Sequence, residues 1–227
     1  MRQYAVIVAG GSGTRMGSSI PKQFHPLEKR PVLWWSMKAF HEENPGTELI
    51  IVLPEDYIPL WEELFTSLPE NERFDHSVAI GGTTRTDSVI NGLKLIADEE
   101  SLVAIHDGAR PLVTKDTIRE GWQKAKESGA AIPVVAVTDS LRRLEDDGTS
   151  KAADRSQYVA VQTPQVFKTS LLKKAYQNIG NHVFTDDASV VEFSGYKVHL
   201  FSGDHNNIKI TNPKDLAIAG VLMRKDA

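Results

Sequence analysis

"VIVAGGSGTRMGSSIPKQF", residues 6–24, decides how the fold is read. A short apolar run ends in Gly10, Gly11 and Gly13, and Arg15 and Lys22 follow. A buried strand that gives way to glycines lets backbone N–H groups come close to an anion. Arg15 adds a forked set of donors and Lys22 a compact point charge. Two common phosphate templates fail here. G-x-G-x-x-G requires glycine where the chain has Met16, and Walker A fails because Lys22 stands between Pro21 and Gln23. The alternative is a plain tight turn with two surface cations, but the joint pattern of glycines, arginine and Pro-Lys-Gln favours a phosphate cradle.

Outward from this loop, apolar β-branched runs recur at Tyr4–Val8, Glu48–Leu53, His76–Ile80, Leu102–His106 and Ala130–Val137. Continuous runs of this kind suit strands buried on both faces of a parallel sheet. Helical spacing fills the gaps. Pro31 opens one segment, Val89, Leu93 and Ile96 form the stripe of another, and Gly129 closes a third. Strand and helix in alternation predict an α/β fold, with ligands at the carboxyl ends of the strands. The rhythm breaks after Val137. Two polar, alternating stretches around Asp147-Gly148 read as a protruding hairpin arm over 138–160. "YKVHLF" then reads as a last strand, and "NIKITNPKDLAIAGVLM" as its sequel with a closing helix. No repeat or linker divides the chain, so 1–227 is expected to be one domain with an arm.

Composition narrows the classes. The chain has 227 residues, 41% hydrophobic and 25% charged, which is ordinary for a globular protein. A net charge of −4 argues against general nucleic-acid binding. With no cysteine, disulfides and thiolate metal sites are excluded, which suits a reducing cytoplasm. No run approaches the roughly 20 apolar residues of a membrane span, and the amino end does not read as a signal peptide. The expectation is a cytoplasmic protein with neither a membrane nor a nucleic-acid partner. The seven histidines show no ligand spacing, so no protein metal site is read; His106 is expected to orient the loop after it. Trp34-Trp35 reads as core and subunit packing.

Several further motifs occur in order: "GGTTRTDSV", "HDGARP", "TDS", "QTPQVF", "TDDASVVE" and "NIKIT". With the opening loop, this series resembles the nucleotidyltransferases that join a nucleoside triphosphate to a sugar or polyol phosphate. Within them it is most similar to the branch that transfers a cytidylyl group from CTP to methylerythritol phosphate, in non-mevalonate isoprenoid synthesis. The resemblance covers nearly the whole chain and implies a Rossmann-like nucleotidyltransferase domain, its mostly parallel sheet flanked by helices.

The resemblance also implies roles. Arg15 and Lys22 stabilise the transition state. Ala9, Gly10, Gly11, Gly13, Gly82, Ser88, Gly108 and Lys209 bind the nucleotide; Asp107, Arg110, Ser140, Arg155, Thr163 and Thr185 bind the acceptor. Mg²⁺ comes mainly on the triphosphate. A homodimer is implied, with the arm of one subunit completing the site of the other. Three positions depart from the common pattern: Thr83 where an acidic residue is frequent, Ser140 where threonine is, and Asn206 where aspartate is. Two alternatives share these residues. One keeps CTP but takes ribitol 5-phosphate as acceptor; the other is a nucleotide-binding module without catalysis.

Overall fold

The computed structural model describes residues 1–11, 20–180 and 182–225. β1 (Gln3–Val8) is followed by a 3-10 turn at Lys22–Phe24, a short ribbon of β2 (Pro26–Leu27) and β3 (Arg30–Pro31), and α1 (Val32–Glu43). Then come β4 (Glu48–Leu53), α2 (Ile58–Thr66), β5 (His76–Ile80), α3 (Arg85–Lys94), β6 (Leu102–Asp107), α4 (Lys115–Ser128) and β7 (Ala130–Ala136). The second half holds β8 (Leu141–Leu144), β9 (Ser150–Ala153), β10 (Val159–Val161), β11 (Gln165–Lys168), α5 (Thr169–Gln177), α6 (Asp187–Phe193), β12 (His199–Ser202) and α7 (Pro213–Lys225).

Among the described residues, eight strands form the central sheet in the order β10-β7-β11-β6-β1-β4-β5, with β12 on β7. β1, β4, β5, β6, β7 and β12 run one way, and only β10 and β11 oppose them. The sheet is therefore mostly parallel, as the apolar runs predict. Its helices cover both faces. Ala5 and Ile7 join a core with Leu33, Met37, Phe40, Trp61 and Ile118, whereas Tyr4 and Val6 join one with Val89, Leu93, Phe167 and Val190. Alternate residues of β1 thus feed opposite cores, which is why its run is apolar throughout. Helix ends follow local chemistry: Thr84 and Asp87 form a capping box on α3, and Gly129 closes α4 at φ +90.

The hairpin at Asp147-Gly148 is present, with β8 and β9 paired to each other and Gly148 at φ +81. Two features were not foreseen. Val159 and Ala160, read as the end of the arm, form with Val161 a strand that pairs with β7, and Gln165–Lys168 enters the sheet between β6 and β7. Both run antiparallel to β7, and their register slips by two residues between them (Val161↔Val134, then Val166↔Ala131). No helix among the described residues is long and apolar enough to cross a membrane.

Candidate nucleotide and acceptor site

The chain leaves β1 for β4 on one side and returns through β6 on the other, so the strand order switches at β1. Open α/β sheets bind ligands outside the carboxyl ends of the strands at this point. A pocket of about 470 Å³ lies there, lined among others by Ala9, Gly10, Gly11, Lys22, Gly82, Arg85, Ser88, Asp107 and Lys209.

The loop after β1 is held from below. Gln23, almost fully buried, donates from Nε2 to the carbonyls of Ala9 (2.6 Å) and Gly11 (3.3 Å). This amide ties the turn carrying Lys22 to the end of β1. Gly10 passes close over α3, and a Cβ there would sit 3.2 Å from Ser88 Oγ. The hydroxyl of Ser88 accepts from Gly82 N (3.1 Å) and donates to Thr84 O (2.9 Å). It therefore organises the second glycine loop as well as lining the pocket. Gly82 has no alternative, because a Cβ there would stand 2.1 Å from that of Asp87. The amino end of α3 opens on the pocket through Thr84 and Arg85, and its dipole favours an anion.

Asp107, the last residue of β6, is buried among cations. Its Oδ2 lies 2.9 Å from Lys209 Nζ and 3.5 Å from Arg110 Nε, and its Oδ1 lies 3.9 Å from Arg85 Nε. Burial would raise its pKa, but Lys209, Arg85 and Arg110 overrule that and hold it at about 2. The loop beyond it is braced. His106 is fully buried, with its ring nitrogens 3.1 Å from Arg110 O and 3.1 Å from Thr163 Oγ1. Burial pushes its pKa down to about 4, so it stays neutral; it holds the Asp107 loop as expected. Thr163 Oγ1 also accepts from Asp107 N (3.1 Å), and Arg110 donates to Asn207 O (2.7 Å). Arg85 also pairs with the buried Asp187, its Nη2 lying 2.6 Å from Oδ2. Burial would lower the pKa of Arg85, yet Asp187 and Asp107 raise it above the ordinary value.

The structure brings most of the expected residues together. Ala9, Gly10, Gly11, Lys22, Gly82, Ser88, Asp107 and Lys209 all line the pocket. Arg110 and Thr163 stand just behind, gripping Asp107 and its loop. Gly108 is buried instead of lining the pocket, and a Cβ there would press at 3.0 Å on both Ala9 and Leu33. Ser140 and Arg155 lie exposed at the base of the arm, where Arg155 donates to Thr138 O, and neither lines this pocket. Thr185 is exposed just before α6 and does not line it either. Gly13 and Arg15 fall outside the described residues. Sequence reasoning missed Gln23, Arg85 and Asp187. Gln23 and Arg85 stand inside quoted motifs, but their partners are 14 and 102 residues away.

A glycine-rich loop at the switch point, a helix amino end and clustered cations define a nucleotide-binding α/β protein of the nucleotidyltransferase class. The chain belongs to the 2-C-methyl-D-erythritol 4-phosphate cytidylyltransferase family, whose sequence profile matches residues 3–225. A curated relative of that description from Bacteroides thetaiotaomicron is 47% identical over 225 residues, covering 98% of this chain and 100% of the relative. The crystal structure of the Thermus thermophilus 2-C-methyl-D-erythritol 4-phosphate cytidylyltransferase superposes with a TM-score of 0.80 at 31% identity, covering 99% of this chain and 100% of that one. The Anaerococcus prevotii 4-diphosphocytidyl-2C-methyl-D-erythritol synthase superposes with a TM-score of 0.83 at 26% identity, covering 98% and 96%.

Proposed function

We propose that this chain transfers the cytidylyl group of CTP to 2-C-methyl-D-erythritol 4-phosphate and releases pyrophosphate. The observation that carries this reading is one pocket, at the switch point, lined by Lys22, Arg85 and Lys209 together with Gly10, Gly11 and Gly82. The acceptor's phosphate oxygen attacks the α-phosphorus of CTP, a new P–O bond forms, and the bond to the bridging α,β-oxygen breaks. A phosphate monoester loses its second proton near pH ~6, so the nucleophile needs no general base. The difficulty is electrostatic, because two anions must meet and more charge gathers on the α-phosphate. Fixed cations and positioning supply the help that phosphoryl-type transfer needs. Lys22, with Arg15, is assigned to the transition-state charge, the Gly10–Gly11 and Gly82 loops to the nucleotide, and Asp107 to the acceptor side.

Mg²⁺ prefers oxygen ligands and keeps several waters. Among the described residues Asp107 is the carboxylate lining this pocket, and the cations around it already compensate its charge. That donor set suits a metal carried by the triphosphate, where it supplies charge neutralisation. The acceptor phosphate is assigned to Ser140 and Arg155 of a second subunit, whose arm would cross to this site. Support comes from the arm itself: among the described residues β8 and β9 pair only with each other, and Leu144, Tyr158, Val159 and Val161 are exposed nearby. A cysteine-free chain suits a cytoplasmic enzyme.

The test is pyrophosphate release from CTP, with methylerythritol 4-phosphate and ribitol 5-phosphate as rival acceptors. Fast release with the first alone is expected. Equal rates with ribitol phosphate or with UTP would overturn the substrate assignment, and CTP binding without release would leave a non-catalytic module.

A further inference from the structure

The two oxygens of Asp107 are unequal. Oδ2 takes the near cations, Lys209 at 2.9 Å and Arg110 at 3.5 Å. Oδ1 faces Arg85 Nε at 3.9 Å, beyond hydrogen-bond reach. Arg85 is kept at that distance by its other end, whose Nη2 lies 2.6 Å from Asp187 Oδ2. Tyr176 OH donates to Asp187 Oδ1 at 2.5 Å, so both oxygens of this fully buried carboxylate are engaged.

A local structural task does not account for the Asp187 side chain. The start of α6 is already satisfied without it, because Gln165 Oε1 accepts from Asp187 N and Ala188 N, and Asp186 accepts from Ser189 N. A buried carboxylate is costly unless paired, so Asp187 holds Arg85 firmly. From these contacts we infer that Asp187, acting through Arg85, is a positioning residue that keeps Asp107 Oδ1 open to a hydroxyl of the acceptor. The inference rests on the proposed reaction, in which Asp107 lies on the acceptor side. Without the Asp187 charge, Arg85 closes the gap and occupies Oδ1. The acceptor then loses a hydrogen bond to a charged group, while the glycine loops that hold the nucleotide are untouched.

The experiment compares the wild type, Asp187→Asn and the charge-neutral pair Arg85→Gln/Asp187→Asn, with methylerythritol 4-phosphate and CTP varied in turn. Asp187→Asn is expected to raise the acceptor KM roughly tenfold or more, the usual worth of one charged hydrogen bond, with the CTP KM within about twofold. Removing Arg85 as well is expected to bring the acceptor KM back down, whatever the loss of that pocket cation costs in kcat, because the side chain that would occupy Oδ1 is gone; a merely structural defect does not produce this reversal. An unmoved acceptor KM in Asp187→Asn, a fall in kcat alone, or a pair no better than the single variant overturns the inference. If Asp187→Asn does not fold, Tyr176→Phe replaces it, because losing the bond to Oδ1 frees the Asp187 carboxylate to turn and lets Arg85 follow it toward Asp107. A rise in acceptor KM alone supports the inference, and none overturns it. Failure of the wild type to release pyrophosphate would instead sink the proposed reaction, so the two failures are distinguishable.

Discussion

Replacing Gln23 by methionine keeps the length of the side chain and removes its amide. Two bonds are lost, to Ala9 O at 2.6 Å and to Gly11 O at 3.3 Å. Ala9 is buried, so its carbonyl is left without that partner, at a cost of about 1–3 kcal/mol. The longer bond to Gly11 adds up to about 1 kcal/mol. For a chain of this size each kcal/mol lowers Tm by about 2–4 °C, which gives a fall of about 2–16 °C. The functional effect is directional. Gln23 joins the turn that carries Lys22 to the strand end that carries Gly10 and Gly11, so the nucleotide side loosens first. We expect the KM for CTP to rise at least about fivefold while that for the acceptor stays near wild type, read by calorimetry and steady-state pyrophosphate release. Gln23→Glu, which turns a carboxylate toward two carbonyls, is expected to be worse on both measures. A Gln23→Met protein with Tm within about 2 °C of wild type and an unchanged CTP KM would refute the reasoning.

Three other outcomes follow from the same geometry. The folded pKa of His106 is about 4 and its ordinary value 6.5, so between these the unfolded chain binds a proton that the fold does not. Stability is expected to fall by up to about 3 kcal/mol as pH drops through that window and then to level off, and a urea midpoint that does not change between pH 7 and 4.5 contradicts this. Gly82→Ala puts a carbon where Asp87 Cβ leaves 2.1 Å, so the loop must move; CTP affinity should drop at least about tenfold, and unchanged affinity by titration calorimetry would refute it. If sites are shared across a dimer, Lys22→Ala and Arg155→Ala proteins, each nearly inactive, should regain roughly a quarter of wild-type activity when subunits are mixed and exchanged. No recovery in verified mixed dimers would place both residues in one subunit's site.

The strands Glu48–Leu53 and His76–Ile80 could be read to the residue because each run is apolar and bounded by polar turns. β11 could not. Gln165–Lys168 is four residues long, follows a proline and opens with a glutamine that is buried only because its amide serves α6. Nothing local announces a central antiparallel strand there. The candidate site divides in the same way. Glycines that demand close approach, such as Gly82, leave a local signature. The pairing of Arg85 with Asp187 depends on how α3 and α6 meet, and no stretch of sequence contains both. Ser88 shows a middle case: it was expected at the ligand and lines the pocket, but its hydroxyl already organises Gly82 and Thr84.

Single-turnover transfer from pre-bound CTP, in wild type and in Lys22→Ala, measures the chemical step apart from binding and release. Loss of a cation that serves the developing charge should slow that step by at least roughly 10²-fold while CTP remains bound. A folded, CTP-saturated Lys22→Ala enzyme that transfers within about threefold of the wild-type rate would contradict the assignment of the pocket's cations to the reaction.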